Sequence, residues 1–261
     1  MVFPVSSGLL STVRDLARRR ARRRRNLTLA EGVRLVEEIV NVGASVRGVV
    51  TAPMLQASDR GTALKARLGQ VDAPQVEVSD TDLIQLADTD HPQGVILVVE
   101  PPAWELGDIH VAPRSPVLVV DGVQDPGNVG ALCRTAHGLG AAGVLALPGT
   151  AELFAPKALR GSMGAVFHLP ALRCDDDVLI KWLEQQGIEL WLSDIHGTPV
   201  PDAETHSGMV ALAVGNEGAG ARQALKEHAG HLVGVPLIAT AESLNVAVAA
   251  GILLYEVVHG R

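Results

Sequence analysis

The chain has 261 residues, 47% hydrophobic and 20% charged, with a formal net charge of −7; this balance suits one large or two small globular domains and excludes a disordered chain. No apolar stretch reaches the roughly 18 residues of a membrane span, and Met1–Val5 has no basic region leading into an apolar core, so no signal peptide is expected. Cys133 and Cys174 are the only cysteines, which excludes a disulfide framework and fits a reducing cytoplasm.

The first feature in chain order is a run of charge. Residues 14–25 hold eight arginines (Arg14, Arg18, Arg19, Arg20, Arg22, Arg23, Arg24 and Arg25) against Asp15 alone, leaving 14 basic and 28 acidic residues, or −14, in the rest. A basic arm on an acidic body points to a polyanionic partner; a solvated helix or frayed tail is the plainer alternative. With aromatics at 3%, a reader that stacks bases on exposed rings is disfavoured. Beyond the arm, residues 31–41 have helical periodicity, with Val33, Val36 and Val40 near one face. A strand is predicted at 46–51, helices at 57–68 and 80–87, and a strand at 94–100. These make a small α/β domain over residues 26–100. Four prolines among residues 101–116 mark a linker.

From 117 onward strands and helices alternate. Strands are predicted at 117–120, 143–147, 166–169, 188–193, 209–214 and 231–235. Helices are predicted at 128–139, 155–163, 176–186, 220–229 and 243–258. Apolar strands alternating with helices imply a parallel sheet covered on both faces, a second α/β domain over 117–261. Three strand ends carry unusual chemistry. The first is Asp121 to Gly130, a turn between an apolar strand and a helix, the place where open α/β sheets bind ligands. Asn128 suits the N-cap of that helix, and Arg134 lies close enough to reach back. The second is Gly215-Asn216-Glu217-Gly218-Ala219-Gly220, whose glycines let backbone amides approach a ligand; no Gly-Lys-Ser/Thr makes it a P-loop. The third runs from Val233 to Glu242 and into an apolar helix that Ser243 can cap. Asn245 there either ties two loops together or faces a ligand. Taken singly, each has a plain reading: a tight turn, a solvated Glu, an Asn satisfied by backbone. The nine histidines do not cluster and no metal is expected; no Gly-x-Ser-x-Gly elbow suggests a hydrolase.

Together the three segments resemble the signature motifs of the SpoU family of RNA ribose 2′-O-methyltransferases, of the SPOUT class. The first motif matches at Asp125–Gly130 through Arg134–Ala136, the second at Gly215–Gly218, and the third at Glu242–Ala249, with Ala247 where many relatives have Ser. Lys157–Ala165 and His91-Pro92-Gln93-Gly94 also look like the family. The resemblance implies a C-terminal SPOUT domain with a deep trefoil knot, preceded by a small RNA-binding domain, and an obligate homodimer whose active site is completed across the interface. It implies S-adenosylmethionine held by Gly215, Asn216, Gly218, Val235, Leu237 and Leu244. It puts Arg134 in the leading catalytic position, with Asn128, Glu217, Ser243 and Asn245 shaping the site. Arginine stays protonated in proteins, so Arg134 suits a phosphate positioner and charge stabiliser better than a base. RNA contacts would come from Arg18, Arg19, Arg20, Arg22, Arg23, Arg24, Arg25 and Arg160. The two-domain layout favours large-subunit rRNA as substrate; the alternatives are a tRNA ribose methyltransferase and a non-catalytic rRNA-binding or assembly factor.

Overall fold

A computed structural model describes residues 5–201, 208–238, 240 and 242–260. The chain divides into two compact units. The first comprises the chain up to Ala103 together with Phe154–Phe167, and the second Trp104–Leu153 with His168 onward.

The first unit begins with α1 (Val5–Leu16) and α2 (Arg19–Arg25), followed by β1 (Thr28–Glu31), α3 (Val33–Asn41) and β2 (Val46–Thr51). Next come α4 (Asp59–Leu68), β3 (Gln75–Glu77), α5 (Asp80–Leu86) and β4 (Val95–Val99). The four strands form one sheet in the order β1-β4-β2-β3. Of the segment 1–25, read from sequence as a basic arm, α1 is part of the core. Leu9, Val13 and Leu16 recur at helical spacing and pack in one buried cluster with Leu29, Val50, Ile96 and Val98. The helix approaches β2 at Gly48, where a Cβ would lie 2.3 Å from the Leu9 side chain. Most of the charge lies on α2: Ala21 is buried, while Arg19, Arg20, Arg23, Arg24 and Arg25 are exposed, as is Arg14 on α1. The run His91–Gly94 serves α3, because Gln93 Oε1 accepts the Val33 N–H at 2.8 Å. A first-turn amide has no partner within its own helix, so this bond fills a vacancy.

The second unit opens with β5 (Val117–Val120), α6 (Pro126–Gly138) and β6 (Gly143–Ala146). The chain then supplies α7 (Pro156–Ser162) to the first unit. It continues with β7 (Ala171–Arg173), α8 (Asp176–Gln186), β8 (Ile188–Thr198), β9 (Met209–Val214), α9 (Gln223–His228), β10 (His231–Val233) and α10 (Val246–His259). Six strands form one sheet in the order β10-β8-β9-β5-β6-β7, every pairing parallel. The central strands are apolar because both faces are covered; Val117 to Val120 and Ala211 to Val214 are all buried. The strand predicted at 166–169 is not one. Residues 165–167 form a short 3₁₀ turn after Met163, which takes the left-handed conformation at φ 51°. The ladder resumes only after Pro170, which has no N–H to donate, at Ala171. No helix among the described residues is long and apolar enough to cross a membrane.

Candidate functional site

Three strand ends of the second unit meet at the C-terminal edge of its parallel sheet, where open α/β sheets place their ligands. Two of the helix starts there differ from the sequence reading. The N-cap of α6 is Asp125, whose carboxylate accepts the Asn128 N–H at 3.0 Å; Asn128 lies three residues further in, inside the first turn. Pro126 decides this, since its fixed φ and missing N–H fit the first helical position. The N-cap of α10 is Asn245 rather than Ser243: its Oδ1 accepts the Ala247 N–H at 3.0 Å and the Val248 N–H at 3.4 Å.

These shifts free the Asn128 side chain and give Asn245 a double role. Asn245 Nδ2 donates to Asn128 Oδ1 at 3.1 Å, and Asn128 Nδ2 donates to Glu217 Oε1 at 2.8 Å. One hydrogen-bonded chain thus joins residues from all three strand ends. A second tie holds the glycine-rich turn. Asn216 Nδ2 donates to the Gly122 carbonyl at 2.8 Å, and its Oδ1 accepts the Gly218 and Ala219 amides, each at 2.9 Å.

A third tie, which the sequence reading missed, is Arg222. Its backbone N–H and Nε donate to the two carboxylate oxygens of Asp121, both at 2.7 Å. Its terminal nitrogens reach Asp176 and the Pro148 carbonyl. Asp121 is 3% exposed, so this charge is paired and well bonded, as burial requires. Burial works against the Arg222 charge, but the hydrogen bonds it donates to Asp176 and Asp121, with their negative charges, outweigh it and hold the guanidinium above its usual range.

Behind these ties lies a cavity of about 390 Å³, within the range of cofactor sites. Gly215, Asn216, Glu217, Gly218, Val235, Leu237, Ser243 and Leu244 all line it. So do Ser193 to His196 and Lys226, which sequence reasoning did not name. Ser193 to His196 arrive because β8 runs on to Thr198, beyond the apolar stretch that marked it, and Lys226 comes from α9. At Gly215 a Cβ would sit 2.5 Å from the Ala221 nitrogen, so only glycine fits this close turn. Asn128, Asn245 and Arg134 do not line the cavity. Arg134 is exposed on α6. Arg160 lies on α7 of the first unit, where Nη2 donates to Asp88 Oδ2 at 2.8 Å.

The model of the SpoU rRNA methylase family matches residues 115–255, and that of the MRM3-like substrate binding domain matches residues 10–97. The chain belongs to the SpoU rRNA methylase family. It is 34% identical over 248 residues to the 23S rRNA (guanosine(2553)-2′-O)-methyltransferase RlmP of Bacillus subtilis, covering 93% of each chain. A 23S rRNA (uridine(2479)-2′-O)-methyltransferase of Streptomyces viridochromogenes is 31% identical, over 94% of this chain and 87% of that one. Among solved structures, the SpoU methyltransferase AviRb from Streptomyces viridochromogenes in complex with AdoMet aligns at TM-score 0.85 with 30% identity, over 97% and 99% of the two chains. An AdoMet-bound rRNA methyltransferase from Sinorhizobium meliloti aligns at 0.82 with 29% identity, over 98% and 96%. The glycine-rich turn and the segment leading into α10, which resemble two signature motifs of the family in sequence, both line the cavity.

Proposed function

We propose that this SpoU protein transfers the methyl group of S-adenosylmethionine to a ribose 2′-oxygen of large-subunit rRNA. The observation that carries the reading is the chain Asn245–Asn128–Glu217 at a glycine-lined cavity, in a chain so similar to 23S rRNA 2′-O-methyltransferases. The cofactor fits the cavity by volume and by its lining, which combines the turn residues Gly215, Asn216 and Gly218 with the apolar Val235, Leu237 and Leu244. Lys226 and Asp194, on the same lining, suit its carboxylate and its donor groups. When bound, it supplies an activated methyl group on a sulfonium centre.

The residues of this chain then have distinct tasks. Arg134 keeps its charge at any working pH; it holds the phosphate beside the target ribose and stabilises negative charge that builds on the 2′-oxygen. The proton leaves to that phosphate or to water. Asn128, with both ends of its amide engaged, fixes the spacing of the three motifs and orients the ribose. Glu217, Ser243 and Asn245 shape the pocket so that oxygen and methyl group align, the largest gain positioning can give.

Three further features belong to this reading. The second unit is tied in a deep trefoil knot, which brings Leu237 and Asn245 beside Gly215 to Gly218. The protein works as a homodimer: α10 leaves Val248, Ile252 and Tyr255 exposed at 51%, 38% and 54%, and a second copy covers this face. The enzyme acts in the cytoplasm. Mapping 2′-O-methylation in rRNA and tRNA of a deletion strain tests the substrate: one missing methyl in 23S rRNA supports the reading, and a missing tRNA methyl replaces it with the tRNA alternative. Sedimentation of the protein tests the dimer, which a monomer at micromolar concentration would rule out.

A further inference from the structure

We propose that a recess on the first unit binds one unpaired nucleotide of the RNA substrate and prefers guanine; this rests on the rRNA-methyltransferase reading. The recess measures about 390 Å³ and lies among α1, the C-terminal end of α5 and the start of α7. Val13, Leu29, Leu86 and Pro156 give it an apolar floor, and Arg14, Arg22 and Lys157 a cationic rim. Asp88 and Gln85 supply hydrogen-bonding groups to its wall.

This combination matches a nucleotide turned out of a loop. A base presents a flat apolar face to a floor and a polar edge to a wall, while its phosphates stay outside. Sequence-specific RNA recognition uses such unstacked bases, read along their pairing edges. The cationic rim adds the salt-dependent phosphate term. Arg22 of the rim lies on the arginine-rich helix α2.

Asp88 sets the preference. An ionised carboxylate only accepts hydrogen bonds, with about four lone-pair sites on its two oxygens. Guanine alone offers two adjacent donors, N1–H and the N2 amino group, on its pairing edge. Uracil sets its one N–H between two carbonyls, and adenine and cytosine each put an acceptor beside their amino group. The Asp88 carboxylate is 61% exposed and open to a ligand, while its backbone is anchored. The Asp88 N–H donates to Glu31 Oε2 at 2.9 Å, with Glu31 only 6% exposed. Asp88 Oδ2 takes one bond from Arg160 Nη2, leaving Oδ1 and further lone pairs for the base. The α1 wall is braced too: Arg22 Nη1 donates to the carbonyls of Leu16 and Ala17 at 3.1 and 3.0 Å. Arg160, expected from sequence to touch RNA, is thereby placed at the rim beside Asp88.

The test uses the full chain and oligouridine decamers that differ only at a central G, A, C or U, read by fluorescence anisotropy. The G decamer is expected to bind about tenfold tighter than the others, the discrimination of one good bidentate pair. Asp88→Ala should abolish that preference while keeping the common affinity. The isosteric Asp88→Asn guards against misfolding and should also lose it, since its amide replaces one acceptor by a donor. Arg14→Gln with Lys157→Gln should weaken all four decamers alike. Equal binding of the four by the native chain, or a preference that survives both Asp88 variants, overturns the proposal. So does competition by free GMP as strong as that of the G decamer, which would make this a mononucleotide site. Methylation of 23S rRNA is assayed separately, so loss of the enzymatic reading and loss of this one are distinguishable.

Discussion

The arginines of α2 and Arg222 carry the same charge in opposite surroundings. On α2, Arg19, Arg20, Arg23, Arg24 and Arg25 stand in solvent, and Arg24 and Arg25 share the single carboxylate of Asp15. Exposed pairs of this kind contribute little stability. Arg222 is 25% exposed and holds together a strand end, a helix start and a loop. Charge density along the sequence marks the first set, which stands exposed on one short helix. Nothing local marks the second, because its partners Asp121, Pro148 and Asp176 lie 101, 74 and 46 residues away.

The largest effect is expected from Asp121→Ala, which removes the buried partner of Arg222. Breaking a buried pair costs roughly 3–5 kcal/mol, with the lower end apt because Arg222 keeps some contact with water. Urea unfolding measures it; a loss below about 1 kcal/mol would place Arg222 with the surface set. Asn245→Ala comes next. It removes the α10 cap, at about 0.5–2 kcal/mol, and the link to Asn128, so methylation should fall further than stability alone explains. Activity that tracks only the folded fraction would show the link to be idle. Replacing Arg20, Arg23 and Arg24 with Gln should leave stability within about 0.5 kcal/mol. RNA binding should lose about 0.9 of the log–log salt slope for each phosphate contact removed; an unchanged slope would mean that α2 does not touch RNA.

The smallest effect concerns the thiols. Complete burial pushes Cys133 up to about 12 and partial burial pushes Cys174 to about 11, where Asp175 and Asp176 add to the shift. Only the thiolate reacts, so both should label slowly at pH 8 in the folded chain and quickly in urea. The folded state holds these protons more tightly than the unfolded chain does. The thiols' contribution to stability is therefore complete below about pH 9, the ordinary thiol value, and is lost as pH rises toward 12. Stability that stays level from pH 8 to 10.5 would contradict this.

Much of the catalytic unit was legible. The strands at 117–120 and 209–214 read directly, since burial on both faces leaves an unbroken apolar run. The spacing of the three motifs pointed to the family, and every residue expected to hold the cofactor lies on one cavity. Less legible were features decided by competition. Asp125 and Asn128 are both good caps, and Pro126 settles which one serves; in the same contest between Ser243 and Asn245, the Asn245 side chain both caps α10 and hydrogen-bonds Asn128. Helix α1 was hidden because eight arginines drew attention from Leu9, Val13 and Leu16. The strand β1 is only four residues long, too short for periodicity to show. Arg222 and the wall from Ser193 to His196 needed the fold itself, because polar residues at a strand end look the same whether they face a ligand or water.

The central claim is tested most directly by the fate of a labelled methyl group. The protein is incubated with S-adenosylmethionine labelled on the methyl and with 23S rRNA lacking this modification, and the RNA is hydrolysed in alkali. Methylation of a ribose 2′-oxygen removes the hydroxyl that attacks the neighbouring phosphodiester, so the account predicts all label in one alkali-resistant dinucleotide. It predicts none with Arg134→Ala, although that variant binds the cofactor as well as the native chain. Label recovered in mononucleotides, as base methylation would give, or undiminished transfer by Arg134→Ala, would contradict it.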